Sequence, residues 1–181
     1  MLKGKKVELN PLGKSDLANL LKWFNDMKVT QYLSMYLPMT EQGEEKWLER
    51  INTTSQNTDI VFSINAFDGE KTIPIGTCGL HKIDWKNRDA EFGIAIGEKE
   101  YWSNGYGTEA AELIIAYAFS QLNLHRISSA AYGFNERSIK MHLKIGFVQE
   151  GIVREAIYKN GQYQDKVLFG LLKKEWEKHK K

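Results

Sequence analysis

Cysteine is almost missing from these 181 residues, and the single one, Cys78, can form neither an intrachain disulfide nor a cysteine-based zinc site. It stands in an apolar, strand-like stretch, where a buried structural thiol is expected rather than a nucleophile. No apolar run is long enough for a membrane-spanning helix, and residues 1–6 are too polar for a secretory signal. A cytoplasmic location is therefore the expectation. Net charge is nearly absent too: 25 Lys and Arg against 23 Asp and Glu leave +2, which gives no pull toward nucleic acid or an anionic membrane. The basic end, with Lys173, Lys174, Lys178, His179, Lys180 and Lys181, is interleaved with Glu175 and Glu177 and reads as a solvated tail. No His/Glu/Asp grouping has metal-ligand spacing, so no metal is expected, and no nucleophile elbow is present.

What remains is an ordinary globular composition, 42% hydrophobic and 27% charged, without repeats or linkers. A single domain spanning residues 1–181 is expected. Residues 6–12 read as a strand, and Ser15 is placed to cap a helix whose Leu17, Leu20, Leu21 and Phe24 fall on one face. Thr40 caps a second helix carrying Trp47, Leu48 and Ile51. Strands follow at 59–67, closed by Asp68-Gly69, then at 73–83 and 90–96. The longest helix covers about 107–122, with Ala110, Ala111, Ile114, Ile115, Ala118, Phe119 and Leu122 in one apolar stripe. A strand at 126–132, a short helix at 135–144 stopped by Gly146, and two strands flanking Asn160-Gly161 complete a mixed α/β chain.

The most informative stretch is 90–108, A-E-F-G-I-A-I-G-E-K-E-Y-W-S-N-G-Y-G-T. A short apolar strand ends in a glycine-bearing loop that opens into the longest helix. The first N–H groups of a helix have no intrahelical partner and point at whatever lies ahead, which suits a pyrophosphate. Gly105 and Gly107 let backbone approach an anion with no Cβ in the way. A Walker A loop would need Lys before Thr108, where Gly107 stands, and a Rossmann fingerprint would need a third glycine and a downstream acidic residue. A plain strand-to-helix turn is the remaining alternative.

The loop Trp102-Ser103-Asn104-Gly105-Tyr106-Gly107, in this order of elements, resembles the GNAT N-acetyltransferases. Trp102, where the family often has Gln or Arg, is similar to the RimJ/RimL branch that acetylates ribosomal-protein N-termini. Asn135-Glu136-Arg137-Ser138-Ile139, Gly146-Phe147, Asn160-Gly161 and Asp165 agree with it. Leu124-His125 and residues 161–165 are also similar to spermidine N-acetyltransferases.

The resemblance implies the GNAT fold: a mostly antiparallel sheet of about seven strands, about four helices, and two strands that splay to admit acetyl-CoA. It implies that the backbone of Ile94, Ala95 and Ile96 bonds the pantetheine arm as an added strand would. The N–H groups of Trp102, Ser103, Asn104, Gly105, Tyr106, Gly107 and Thr108 would hold the pyrophosphate. Asn135 and Ser138 would face the same cosubstrate, and they share a helical face with His142.

Acetyl transfer needs a neutral amine and a thiolate that can leave. Deprotonating a lysine-like amine at pH 7 costs about 4.6 kcal/mol, a protein α-amine only about 1 to 1.4. Glu91, 14 residues before Gly105, matches the spacing of the catalytic glutamate in the histone-acetylating branch and is the candidate base. An ion-pairing or capping Glu is the alternative. His142 occupies the position where most of the family carries its Tyr acid, seven residues after Asn135; it is the candidate acid, and a packed His is the alternative. His125 reads as a structural hydrogen-bonder, and His81 has no acidic partner in view.

The expected partners are acetyl-CoA and a primary amine, a protein N-terminus first and a polyamine, aminoglycoside or amino sugar second. A polyamine would want carboxylates at the acceptor wall, for which Glu41, Glu44 and Glu45 are available, though glutamates at a helix start also favour its dipole. A non-catalytic CoA-binding module is the third possibility, and the chain is expected as a monomer or homodimer.

Overall fold

The computed structural model describes residues 2–53 and 58–179. One eight-stranded sheet carries the chain, in the order β1-β2-β3-β4-β5-β6-β8-β7. Its strands are β1 (Leu2–Lys3), β2 (Val7–Pro11), β3 (Ile60–Asp68), β4 (Lys71–Asp84), β5 (Asp89–Ile96), β6 (Arg126–Tyr132), β7 (Val148–Lys159) and β8 (Gln162–Leu172). The helices are α1 (Leu17–Phe24), α2 (Met27–Thr30), α3 (Glu41–Thr53), α4 (Tyr106–Ser120), α5 (Glu136–Lys144) and α6 (Lys173–His179). This is a mixed α/β GNAT architecture, with one strand and two short helices more than the sequence suggested. The extra elements, β1, α2 and α6, are two, four and seven residues long, too short to give a periodic signal.

Every neighbouring pair of strands is antiparallel except β5 and β6, which run parallel because α4 carries the chain back between them. The apolar stripe of α4 is buried from Ala110 to Phe119 against Ile64, Ile75, Leu80, Phe92 and Ile127 of the sheet. On the other face α1 and α3 close a smaller core of Leu12, Leu20, Trp23, Phe24 and Leu48. Gly97, just past β5, is required there: a Cβ would lie 2.1 Å from the Trp23 ring. Trp23 Nε1 then donates to Glu98 at 2.8 Å, tying α1 to the start of the glycine loop.

Local chemistry departs from the sequence reading at Ser15 and at the basic end, and agrees with it at Thr40. Ser15 lies in a 3-10 turn, and Asp16 closes it by accepting the Gly13 N–H at 2.9 Å. Thr40 Oγ1 does accept from Gly43 N, at 3.2 Å. The basic end is no solvated tail up to His179: it forms α6, whose Trp176 packs 5.3 Å from Phe119 and whose His179 Nε2 donates to the Lys144 carbonyl at 3.0 Å. Lys180 and Lys181 lie outside the described residues.

Candidate active site

The ladder between β5 and β6 is short. It joins Asp89 to Arg126, Ala90 to Ile127 and Glu91 to Ser128, and stops. Beyond that point β5 keeps β4 as its partner on one side only, through Cys78–Ile94, Thr77–Ala95 and Gly76–Ile96. The edge of residues 92–96 therefore has no strand beside it, and a cavity of about 750 Å³ opens there. Residues alternate along this edge. Outside the β4 ladder, Ser129 Oγ reaches the Phe92 carbonyl at 2.9 Å and Trp102 Nε1 donates to the Ile96 carbonyl at 2.7 Å. The amides of Phe92, Ile94 and Ile96 thus face the opening, and Ile94 keeps both its N–H and its carbonyl free there. Ala95 departs from expectation: alternation turns its amide toward β4, opposite Thr77.

Past β5 the chain makes a tight passage into α4. Ser103 and Gly105 have φ of 62° and 85°, the left-handed region, and Gly105 is the N-cap of α4 without any side-chain cap. Left-handed residues among right-handed ones gather successive N–H groups into an anion-sized concavity. The first-turn donors of Tyr106, Gly107 and Thr108 open onto the same place. Lys6 Nζ donates to the Asn104 carbonyl at 2.9 Å, and the Glu109 carboxylate accepts from the N–H groups of Lys5, Lys6 and Val7 at 2.9, 2.6 and 2.9 Å. The loop is thereby fixed from behind. These features fit a diphosphate.

On α5, Asn135 is the N-cap: its side chain accepts from Ser138 N at 3.2 Å. Arg137 lies over Trp102, 4.3 Å from the ring, and 5.1 Å from the Tyr32 ring, so α5, the glycine loop and the segment after α2 meet at the cavity mouth. Lys140 is engaged with Glu136 one turn away at 3.1 Å, and Lys144 also lines the cavity.

His142 is 2% exposed, stacked on Phe169 and edge-on to Phe92 and Phe147. Nδ1 lies 2.7 Å from the Ser138 carbonyl, which can only accept, so Nδ1 carries a proton. Nε2 lies 2.8 Å from Ser129 Oγ. Burial pushes the imidazole below its ordinary value, while the bond to Ser138 works the other way. In the neutral ring Nε2 needs a donor, yet the single Ser129 proton is also wanted by the Phe92 carbonyl. Ser129 had no sequence signal: it is one small residue in an alternating strand.

Glu91 lines the cavity at the fork and forms an ion pair with Lys82 at 2.7 Å, its side chain 43% exposed. His81 does have an acidic partner, Asp59, at 2.9 Å from Nδ1, 22 residues away and just ahead of the neighbouring strand β3. Glu41 and Glu45 are exposed, Glu44 is 1% exposed with one carboxylate oxygen unpartnered, and none of the three lines the cavity. Tyr36 and Tyr158 are solvent-exposed and also outside it. Cys78 is buried, and burial raises its thiol far above the usual range, as a structural cysteine requires.

Residues 6–148 match the family profile of the Acetyltransferase (GNAT) domain, and the chain belongs to that family. Members transfer acetyl from acetyl-CoA to an amine, so this is an acyltransferase with acetyl-CoA as its donor. The chain is 42% identical over 105 residues to the putative ribosomal N-acetyltransferase YdaF of Bacillus subtilis, covering 58% of this chain and 57% of that protein. It is 31% identical over 168 residues to the spermidine N(1)-acetyltransferase of Escherichia coli, covering 89% and 83% respectively. A crystal structure of spermidine N-acetyltransferase from Vibrio cholerae in complex with CoA and spermine superposes with a TM-score of 0.88, at 24% identity over 96% of this chain and 99% of that one. At that identity the likeness concerns the fold. No helix among the described residues is long and apolar enough to cross a membrane.

Proposed function

We propose that this chain is one cytoplasmic acetyltransferase domain that acetylates a protein N-terminus by direct transfer within a ternary complex, as the RimJ/RimL resemblance suggests. The observation that carries the reading is the free edge of β5 beyond Glu91, continuous with the Gly105 loop. In this reading Ile94 bonds the pantetheine arm, and the N–H groups of residues 102–108 hold the diphosphate. Arg137, Lys140 and Lys144 supply cations for the phosphates. The Asn135 side chain orders the start of α5 by accepting the Ser138 N–H, and both residues face the same cosubstrate.

In the transfer the amine nitrogen attacks the thioester carbonyl. The new C–N bond forms, the C–S bond breaks, and its electron pair goes to sulfur. The amine proton departs toward Glu91 through a water, and the Ile94 N–H stabilises the carbonyl oxygen as charge builds on it. His142 is closed off from solvent, with both ring nitrogens engaged, so it acts through Ser129 as the imidazolium: the hydroxyl, which lines the cavity, hands its proton to the leaving sulfur as the Nε2–H passes to Oγ, and the ring is left neutral with Nδ1–H still on the Ser138 carbonyl. An α-amine needs only about 1 to 1.4 kcal/mol of deprotonation at neutral pH, which a partly exposed, ion-paired Glu91 can supply.

A small amine is the second reading, favoured by the E. coli spermidine relative. The test is an acceptor screen by free-thiol release, comparing peptides with free N-termini, spermidine and an aminoglycoside, repeated with Glu91→Gln. Peptide turnover that drops about tenfold in the variant supports the proposal. Turnover confined to small amines, or unaffected by Glu91→Gln, contradicts it.

A further inference from the structure

Register separates the two faces of the cleft. Glu91 and Ser128 are partners, so Gly93 and Ala95 on β5, and Ala130 and Tyr132 on β6, project to the side of α1 and α2. Tyr132 is paired with Lys166 on β8, which puts Lys166 on that face as well. Counted from the last pair, Tyr132 stands four residues beyond Ser128, level with Ala95. Lys166 is therefore across the opening from Ile94 and Ala95, where the acceptor enters.

The charges on this wall are unbalanced. Among the described residues lining the cavity Glu91 is the only carboxylate, and Lys82 already neutralises it. Arg137, Lys140 and Lys144 belong to α5 and the opposite face. Lys166 is half-buried and makes no ion pair with the described residues. Lys159 adds a second cation behind the segment whose Tyr32, Leu33 and Ser34 line the cavity, bonded only to the carbonyls of Thr30 and Met35. A polycationic acceptor brings two or more further positive charges into this place and finds no carboxylate to receive them. In a partly desolvated cleft, like charges a few ångströms apart repel by several kcal/mol, and opposite charges attract as much.

Resting on the amine-acetylation reading, we infer that the acceptor carries an anionic group close to its reactive amine: a peptide N-terminus with Asp or Glu in its first positions, whose carboxylate is received by Lys166. Polyamines are discriminated against by the same charge.

The test uses the full chain and acetyl-CoA with C-terminally amidated peptides that differ only at positions two and three: Ser-Asp-Asp, Ser-Ala-Ala and Ser-Lys-Lys, each followed by the same neutral tail. Spermidine and free aspartate are further arms. Thiol release reads turnover, and calorimetry on the CoA-loaded protein reads acceptor binding whether or not turnover occurs. The expectation is that kcat/KM, or affinity, for the acidic peptide exceeds that for the basic peptide and spermidine by about tenfold or more. Lys166→Glu should erase or invert that ranking while the KM for acetyl-CoA stays put, and Lys166→Met should flatten it. Free aspartate outdoing the peptide would keep the charge rule but overturn the peptide assignment. Equal or better use of the basic peptide or spermidine, or a ranking unmoved by Lys166→Glu, overturns the inference. Absence of thiol release from every amine would contradict the enzymatic reading instead, with calorimetry still deciding the charge preference.

Discussion

Glu91 faces Ser128 in the last rung of the β5–β6 ladder, and the free edge of β5 begins one residue later. Parallel strands joined through a helix normally continue their ladder. Here Phe92 already gives its carbonyl to the Ser129 side chain rather than to a backbone N–H, and the strands part. The fork is thus held by a serine hydroxyl, and the same hydroxyl is bonded to His142.

Removing that hydroxyl should slow transfer without disturbing cosubstrate binding. Ser129→Ala is expected to cost about 1 kcal/mol in stability, since it leaves the Phe92 carbonyl and His142 Nε2 unsatisfied. It should lower kcat about tenfold, with the acetyl-CoA KM unchanged. His142→Phe should lower kcat similarly and remove any fall in rate that wild type shows as pH rises through the lowered imidazole value. A Ser129→Ala enzyme with wild-type kcat and an unaltered profile would confine the pair to structure.

The same imidazole gives a pH dependence of stability. Its folded value is lowered from the ordinary 6.5, so between the two values the unfolded chain binds more protons than the folded one. Stability then rises with pH across that window, and it is lost as pH falls below about 6.5 toward the folded value. Wild type should lose melting temperature between pH 7 and pH 5 more steeply than His142→Phe. Parallel decline of the two proteins would count against the assignment.

Lys159 spans 124 residues of sequence to hold the segment after α2, donating to the Met35 carbonyl at 2.7 Å and the Thr30 carbonyl at 3.1 Å. Burial lowers its ammonium value, since no carboxylate offsets it. Lys159→Met should cost about 1–2 kcal/mol and raise the acceptor KM several-fold, with little effect on acetyl-CoA. Equal changes in both KM values would mean that the segment shapes the whole cleft.

Gly105 sits at φ 85°, a conformation that costs most other residues about 1–2 kcal/mol. Gly105→Val should lower the melting temperature and weaken CoA binding about tenfold or more by calorimetry, because the N–H groups ahead of α4 would turn away. Unchanged affinity would remove the loop from the binding site.

Much of this was legible in the chain because it depends on local chemistry. The Asn160-Gly161 turn has both residues at positive φ, as its hairpin demands, and Gly146 at φ 99° ends α5 where the sequence placed the stop. The glycine loop and the α4 stripe were equally readable. What depended on register was not. That Ala95 turns toward β4 while Ile94 faces the cleft follows from pairing partners, which no single segment encodes. The His81–Asp59 pair, the Ser129–His142 bond and the reach of Lys159 join residues distant in sequence, and none leaves a periodic trace. The sequence offers Glu44 to the acceptor wall or to the dipole of its helix, but tertiary packing of α3 buries it.

Amide hydrogen exchange with and without CoA tests the central claim, that the cosubstrate lies along the free edge of β5 with its diphosphate at the α4 N-terminus. Slowed exchange concentrated at Ile94 and at residues 103–108, with the β4 side of the ladder unchanged, is the predicted result. Protection elsewhere with none at these amides would contradict it.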